Sequence, residues 1–222
     1  MTRTQVTMPG RKWPWILAAI AIAIIAIVIV VNLASTRAPL DAPNAAPTST
    51  PMGGLPLQGP TGCLGGTDRS LEMLLDAQEQ APHNSTGAVE FVASLVRWAI
   101  RYPLASGDEA DTVQTRVVAP TNSFPGTARD SIESYESSVV SPGTPYHLST
   151  LPGVWLLEAA APDQYTVTVG AAYVVGGKIT KYRVAATYTV VWVDDAWRVS
   201  GAEQLRSTED LFAAGTTFTG GC

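Results

Sequence analysis

A chain of 222 residues, 46% hydrophobic and 15% charged with a formal charge of −5, has length for one ordinary domain beside any non-globular segment, and too little for two. Two cysteines and two histidines cannot by themselves complete a four-ligand metal cluster, so no metal site is expected. The acidic balance disfavours direct binding to nucleic acid or anionic lipid headgroups, and Lys178, Lys181 and Arg183, the one close basic trio, read as a solvated strand face.

In chain order, Arg3, Arg11 and Lys12 precede an almost unbroken apolar run over 13–34, closed by Arg37. About 20 apolar residues at 1.5 Å rise cover a hydrocarbon core of about 30 Å, so the run predicts one transmembrane helix. It exceeds the about 7 to 15 apolar residues of a cleaved signal peptide and lacks a clean small-x-small site after Val31. The basic tail 1–12 is expected on the cytoplasmic side, with Trp13 and Trp15 at the inner interface and everything after the helix outside. Four of the fourteen basic residues precede position 38, leaving ten against nineteen acidic ones, a formal charge of −9 on the outward part.

From 35 to 64 the composition shifts to Pro39, Pro43, Pro47, Pro51, Pro56 and Pro60 among Ala, Thr, Ser and Gly. Such a segment has little to bury and reads as a tether, able to hold a domain tens of Å from the bilayer at about 3.1 Å per residue. The outward domain is expected over 65–222.

Its first half reads helical. Asp68 can cap a run in which Leu71, Leu74 and Leu75 share a face, ending near Ala81-Pro82. A second helix starts at Asn84-Ser85-Thr86 and stops at Pro103. Ala88, Phe91, Val92, Leu95, Trp98, Ala99 and Tyr102 recur on one side, and Glu90, Ser94, Arg97 and Arg101 occupy the other. Asn84-Ser85-Thr86 also matches a glycosylation sequon, but its helix-cap reading is preferred. Weaker helices are expected over 108–118 and 127–139, on either side of a breaker-rich stretch.

The second half changes period. A strand over 154–161 precedes the alternation of Tyr165, Val167, Val169, Ala171, Tyr173 and Val175, a tight turn at Gly176-Gly177, and the alternation of Tyr182, Val184, Ala186, Tyr188, Val190 and Trp192. Asp194-Asp195 turns the chain again into 197–205. Helices first and a meander of about four strands afterwards give the α+β class, with helices packed on one face of an antiparallel sheet.

The order of elements, ending in Thr189-Val-Val-Trp-Val-Asp-Asp-Ala-Trp-Arg-Val-Ser-Gly, resembles the nuclear-transport-factor-2-like superfamily over 85–206. The resemblance implies a cone of curved sheet against helices. It does not imply a function, since that fold serves isomerases, dehydratases and assembly domains alike. Anchor, Pro-rich tether and one such outward domain together resemble the inner-membrane scaffold component of type IV secretion and conjugation systems. Leu64-Gly-Gly-Thr-Asp-Arg, Ala81-Pro-His, Thr86-Gly-Ala-Val-Glu-Phe and Arg97-Trp98 are similar to an actinobacterial membrane protein of that setting. The implied function is non-catalytic assembly in a membrane complex, with other membrane-complex proteins or a second copy as partner and no cofactor. The alternatives are an accessory protein of a lipid-import complex and an anchored isomerase or dehydratase.

For catalysis the fold would need a carboxylate or imidazole in an apolar cavity. Glu158 inside a strand is the best placed carboxylate, and neither His83 nor His147 is placed by any motif, so no catalytic residue is assigned. Cys63 and Cys222 both follow Gly in the outward part and are expected to pair within one chain. Two free thiols or an intermolecular bridge are the rival states.

Overall fold

The computed structural model describes residues 59–134 and 140–222. The expected cytoplasmic tail, the transmembrane helix over 13–34 and most of the tether lie outside the described residues, as does the end of the helix expected over 127–139. Among the described residues no helix is long and apolar enough to cross a membrane.

Helix α1 (Leu71–Gln80) is capped by Ser70, whose hydroxyl accepts the Met73 N–H, while Asp68 accepts from the N–H of Ser70 one step earlier. Asn84 caps α2 (Ser85–Ala99) by accepting the Gly87 N–H at 3.0 Å. Reciprocal capping pairs open α3 (Gly107–Arg116) at Ser106/Glu109 and α4 (Ala128–Glu133) at Thr127/Asp130. Each cap satisfies backbone donors that the first helical turn leaves free.

Strands β1 (Tyr146–Ala161), β2 (Gln164–Val175), β3 (Lys178–Val193), β4 (Ala196–Glu203) and the short β5 (Thr216–Thr217) form one antiparallel five-stranded sheet in the order β4-β3-β2-β1-β5. Gly176 and Gly177 have φ of +57° and +73°, and Asp194 and Asp195 have φ of +52° and +58°. Two consecutive left-handed residues are what a two-residue hairpin needs to match the strand twist. Register shifts within β1, between Ser149 and Val154 and between Leu157 and Ala159, bend the sheet.

The main core lies between α2 and one face of this sheet. Phe91, Val92, Leu95 and Trp98 meet Val167, Val169, Ala171 and Tyr173, all buried, and each Val, Leu or Phe among them contributes about 1.5 to 3 kcal/mol. The helix-on-one-face arrangement holds for α1 to α4. It fails for α5 (Thr208–Ala214), whose Leu211 and Phe212 pack with Val154, Leu156 and Ala185 in a separate cluster. Gly170 permits that approach, since a Cβ there would come within 2.7 Å of Phe212 and 2.9 Å of Val154.

Most of the sheet edge has a backbone partner. The outer side of β4 exchanges hydrogen bonds with Val117, Ala119 and Ser123. Along β1, Tyr146 accepts from Tyr102, Thr150 donates to Cys222, and Val154 and Trp155 pair with β5. Among the described residues, 156–161 of β1 and 178–186 of β3 have no strand on their second side.

Candidate functional site

Glu90, Ser94 and Arg97 fall three and four residues apart on α2, the spacing of one helix face. They do not face solvent, as the amphipathic pattern leads one to expect: exposures of 6%, 0% and 0% place them inside. What covers them is the segment 60–69, a strap whose first residues carry tether-like composition yet belong to the fold. Glu90 accepts from the N–H groups of Thr61, Gly62 and Leu64 and from the Thr61 hydroxyl at 2.8 Å. The Ser94 hydroxyl donates to the Leu64 carbonyl at 2.9 Å. Arg97 donates to the carbonyls of Gly62, Gly66 and Asp68.

Burial, then the nearby Arg69, push the Arg97 guanidinium down to about 10, against the pull of Glu90 and Asp68. It therefore stays a cation at neutral pH. Arg69 extends the strap's attachment by donating to the Leu148 carbonyl at 3.1 and 2.8 Å. Arg101 reaches the Arg69 carbonyl and both carboxylate oxygens of Glu109, the latter at 2.8 Å.

The C-terminus closes over the same strap. Cys63 and Cys222 form a disulfide with Cα atoms 5.6 Å apart. The Thr150 hydroxyl donates to the Gly62 carbonyl at 2.9 Å, and the Thr219 N–H donates to Pro60 at 3.0 Å. Gly62 has φ of +77°, and a Cβ there would lie 2.9 Å from the Phe218 ring, so only glycine fits.

The polar residues weighed for catalysis are each held by different neighbours. Glu158 accepts from Arg206 at 2.6 and 2.9 Å and from the Thr168 hydroxyl at 2.8 Å. The Arg206 hydrogen bond, reinforced by Thr168, holds its carboxyl below the ordinary glutamate value. A general base at neutral pH needs the opposite tuning. His83 stacks on Trp192 at 4.3 Å between centroids, with Nε2 at 2.9 Å from an Asp163 oxygen. His147 shares a cleft with Arg69, Arg101, Tyr102 and Tyr146, where burial and then Arg69 push its imidazole below the ordinary value. The three have no neighbour in common among these contacts.

Between α2, α3, α4 and the β3–β4 pair lies an apolar cavity of about 200 Å³, lined among others by Leu95, Trp98, Val113, Val117, Tyr188 and Val199. Burial raises the Tyr188 hydroxyl above its ordinary value. Neither Glu158 nor either histidine reaches this cavity. Among the described residues no group of three or more His, Cys, Asp or Glu side chains is arranged to hold a metal ion.

Comparison with protein-family models, curated proteins and solved structures finds no match.

Besides the start of β1 at Tyr146, eight residues ahead of the expected strand over 154–161, and the two-residue β5, three features go beyond what the sequence alone predicts: the strap, the Arg206 partner of Glu158, and α5. The α5 start has a visible signal in Ser207, whose hydroxyl accepts the Asp210 N–H at the helix N-cap. The other two join residues far apart in the chain and have no local signature.

Proposed function

We propose that the chain is a membrane-anchored assembly protein of a conjugation or type IV secretion-like complex, acting through its outward domain without catalysing a reaction. The observation that carries this reading is the closed strap. A disulfide between Cys63 and Cys222 fits an oxidising compartment outside the cytoplasm, the side to which the positive-inside rule sends everything after the apolar run. The α+β fold with a bent antiparallel sheet agrees with the likeness to the nuclear-transport-factor-2-like superfamily, whose cone-shaped domains include assembly modules. Commitment of Glu158 to Arg206 weighs against the isomerase or dehydratase alternative. The apolar cavity favours the lipid-importer alternative, but about 200 Å³ is small beside the about 300 to 1,000 Å³ of common ligand sites.

Two fusions and one truncation test the reading. A reporter active only outside the cytoplasm should work when fused after Cys222 and fail when fused before Trp13; the reverse result overturns the outward placement. A soluble fragment beginning at Gly59, which retains the strap, should fold yet fail to complement a deletion strain, because assembly in a membrane plane depends on local concentration. Full complementation by that fragment, abolished by Glu158→Gln, would replace the assembly reading with a catalytic one.

A further inference from the structure

Trp98 is 2% exposed and lines the apolar cavity between α2, α3, α4 and the β3–β4 pair. Its indole N–H is buried and has no acceptor among the described residues. Trp197 shows the usual arrangement, its indole donating to the Pro82 carbonyl at 2.9 Å. A buried donor without an acceptor costs stability, so an orphan of this kind calls for a partner from outside the chain. Of the two indoles left unpaired, Trp98 and Trp155, Trp98 is the one on this cavity.

The walls define what kind of partner fits. Leu95, Val113, Val117, Phe124, Ile132 and Val199 make them apolar, and the polar side chains Gln114, Thr127 and Ser131 are engaged with protein groups. Gln114 accepts the Ala128 N–H at 2.8 Å, Thr127 pairs with Asp130, and Ser131 donates to the Thr127 carbonyl at 3.2 Å. Among the described residues no Lys, Arg, His, Asp or Glu lines the space, so a charged ligand would lose its hydration without gaining a counter-charge. Water fills it poorly. One molecule takes up about 30 Å³ and needs about two to four polar partners, so filling about 200 Å³ asks for more of them than Trp98 and Tyr188 supply. An apolar cavity of about 150 Å³ holds benzene, and in proportion this one has room for about eight non-hydrogen atoms.

We propose that the cavity binds a neutral carbonyl compound of about eight non-hydrogen atoms, whose oxygen accepts the Trp98 N–H while its hydrocarbon part lies against the apolar walls. The way in is past α4, which supplies Ala128, Ser131 and Ile132 to the wall and has no fully buried residue of its own. The site goes beyond the assembly reading and does not depend on it.

The test uses the full chain in mild detergent with two probes of one shape: acetophenone, which carries the carbonyl, and isopropenylbenzene, in which a methylene group replaces the oxygen. Acetophenone should bind saturably, move the Trp98 indole N–H resonance downfield and raise the melting temperature. Isopropenylbenzene should bind about tenfold more weakly, the difference one hydrogen bond makes in a dry site. Trp98→Phe keeps an aromatic ring and removes the donor, so both probes should bind it equally. Ala128→Leu fills the cavity from its outer wall and should abolish binding of both without lowering the melting temperature of the free chain. Should Trp98→Phe fail to fold, the probe pair and Ala128→Leu decide the question. Equal affinity of the two probes for the unmodified chain overturns recognition by Trp98. Absence of saturable acetophenone binding, or an indole resonance that acetophenone leaves in place, overturns the site and leaves water as its occupant. None of these outcomes bears on membrane topology, so the assembly reading stands or falls by its own reporter fusions.

Discussion

Arg97 has no exposed surface and remains charged because three strap carbonyls and the nearby Glu90 take the place of water. Arg97→Met keeps the length and removes the donors, leaving those carbonyls and the Glu90 charge without compensation. We expect a loss of about 3 kcal/mol, measured by urea denaturation and accompanied by faster amide exchange at Thr61, Gly62 and Leu64. Glu158 calls for a milder expectation. Its folded pKa lies below the unfolded value, so its contribution to stability is full above about pH 4.3 and is lost as pH falls through the folded value. Glu158→Gln should therefore flatten the acid side of a stability-against-pH curve below about pH 4.3, lower the neutral melting temperature by little, and leave function intact. A large neutral-pH loss of function without unfolding would contradict the structural role given to the pair.

Elements that carry a local signal are legible in the sequence itself. Asn84 and the 3.6-residue period announce α2, and the two-residue period with Gly176-Gly177 announces the β2–β3 hairpin. The polar side of α2 misleads for a physical reason: periodicity separates two faces of a helix, but a face covered by a remote hydrogen-bonded strap has the same composition as one covered by water. β5, two residues long, is too short to show any period. The tryptophans divide along the same line. Trp98 and Trp197 are 2% and 0% exposed, and the Trp197 indole N–H donates to Pro82 at 2.9 Å. Either one changed to alanine should cost about 3 to 5 kcal/mol by thermal or urea unfolding. The alternation along β3 predicts an equally buried Trp192. It is instead half-buried, with one face against His83, and Trp192→Ala should cost clearly less.

At the scale of the molecule, the disulfide spans 159 positions. In the chain-entropy model a loop of that size contributes up to about 5 kcal/mol by restricting the unfolded chain. Cys63→Ser and Cys222→Ser should each lower the melting temperature by several degrees, and the double variant should match either single one, because each removes the same bond. Two titratable thiols in oxidised native protein would remove the bridge from the account. The pairing itself is legible from the two Gly-Cys ends together with the outward placement that the basic tail and apolar run lead one to expect. The strap is not, since Pro60 and Gly62 share the composition of the tether while the N–H groups of Thr61 and Gly62 are bound by Glu90. Protease added to intact protoplasts should accordingly cut upstream of Gly59 and spare 60–69.

The bond between Cys63 and Cys222 joins the first residues of the fold to its last, which makes the domain a covalent ring carrying a tail. A ring opened once is still one piece. A single break in a surface turn such as Gly143, which is exposed and has φ of +79°, releases no fragment, and neither half can drift from the other. A ring also has no privileged beginning, so the chain could start at such a turn, with residues 63 and 222 joined through a peptide linker, and encode the same packing. Closure of this kind separates damage from loss: a nicked chain keeps both of its parts at the site where it acts.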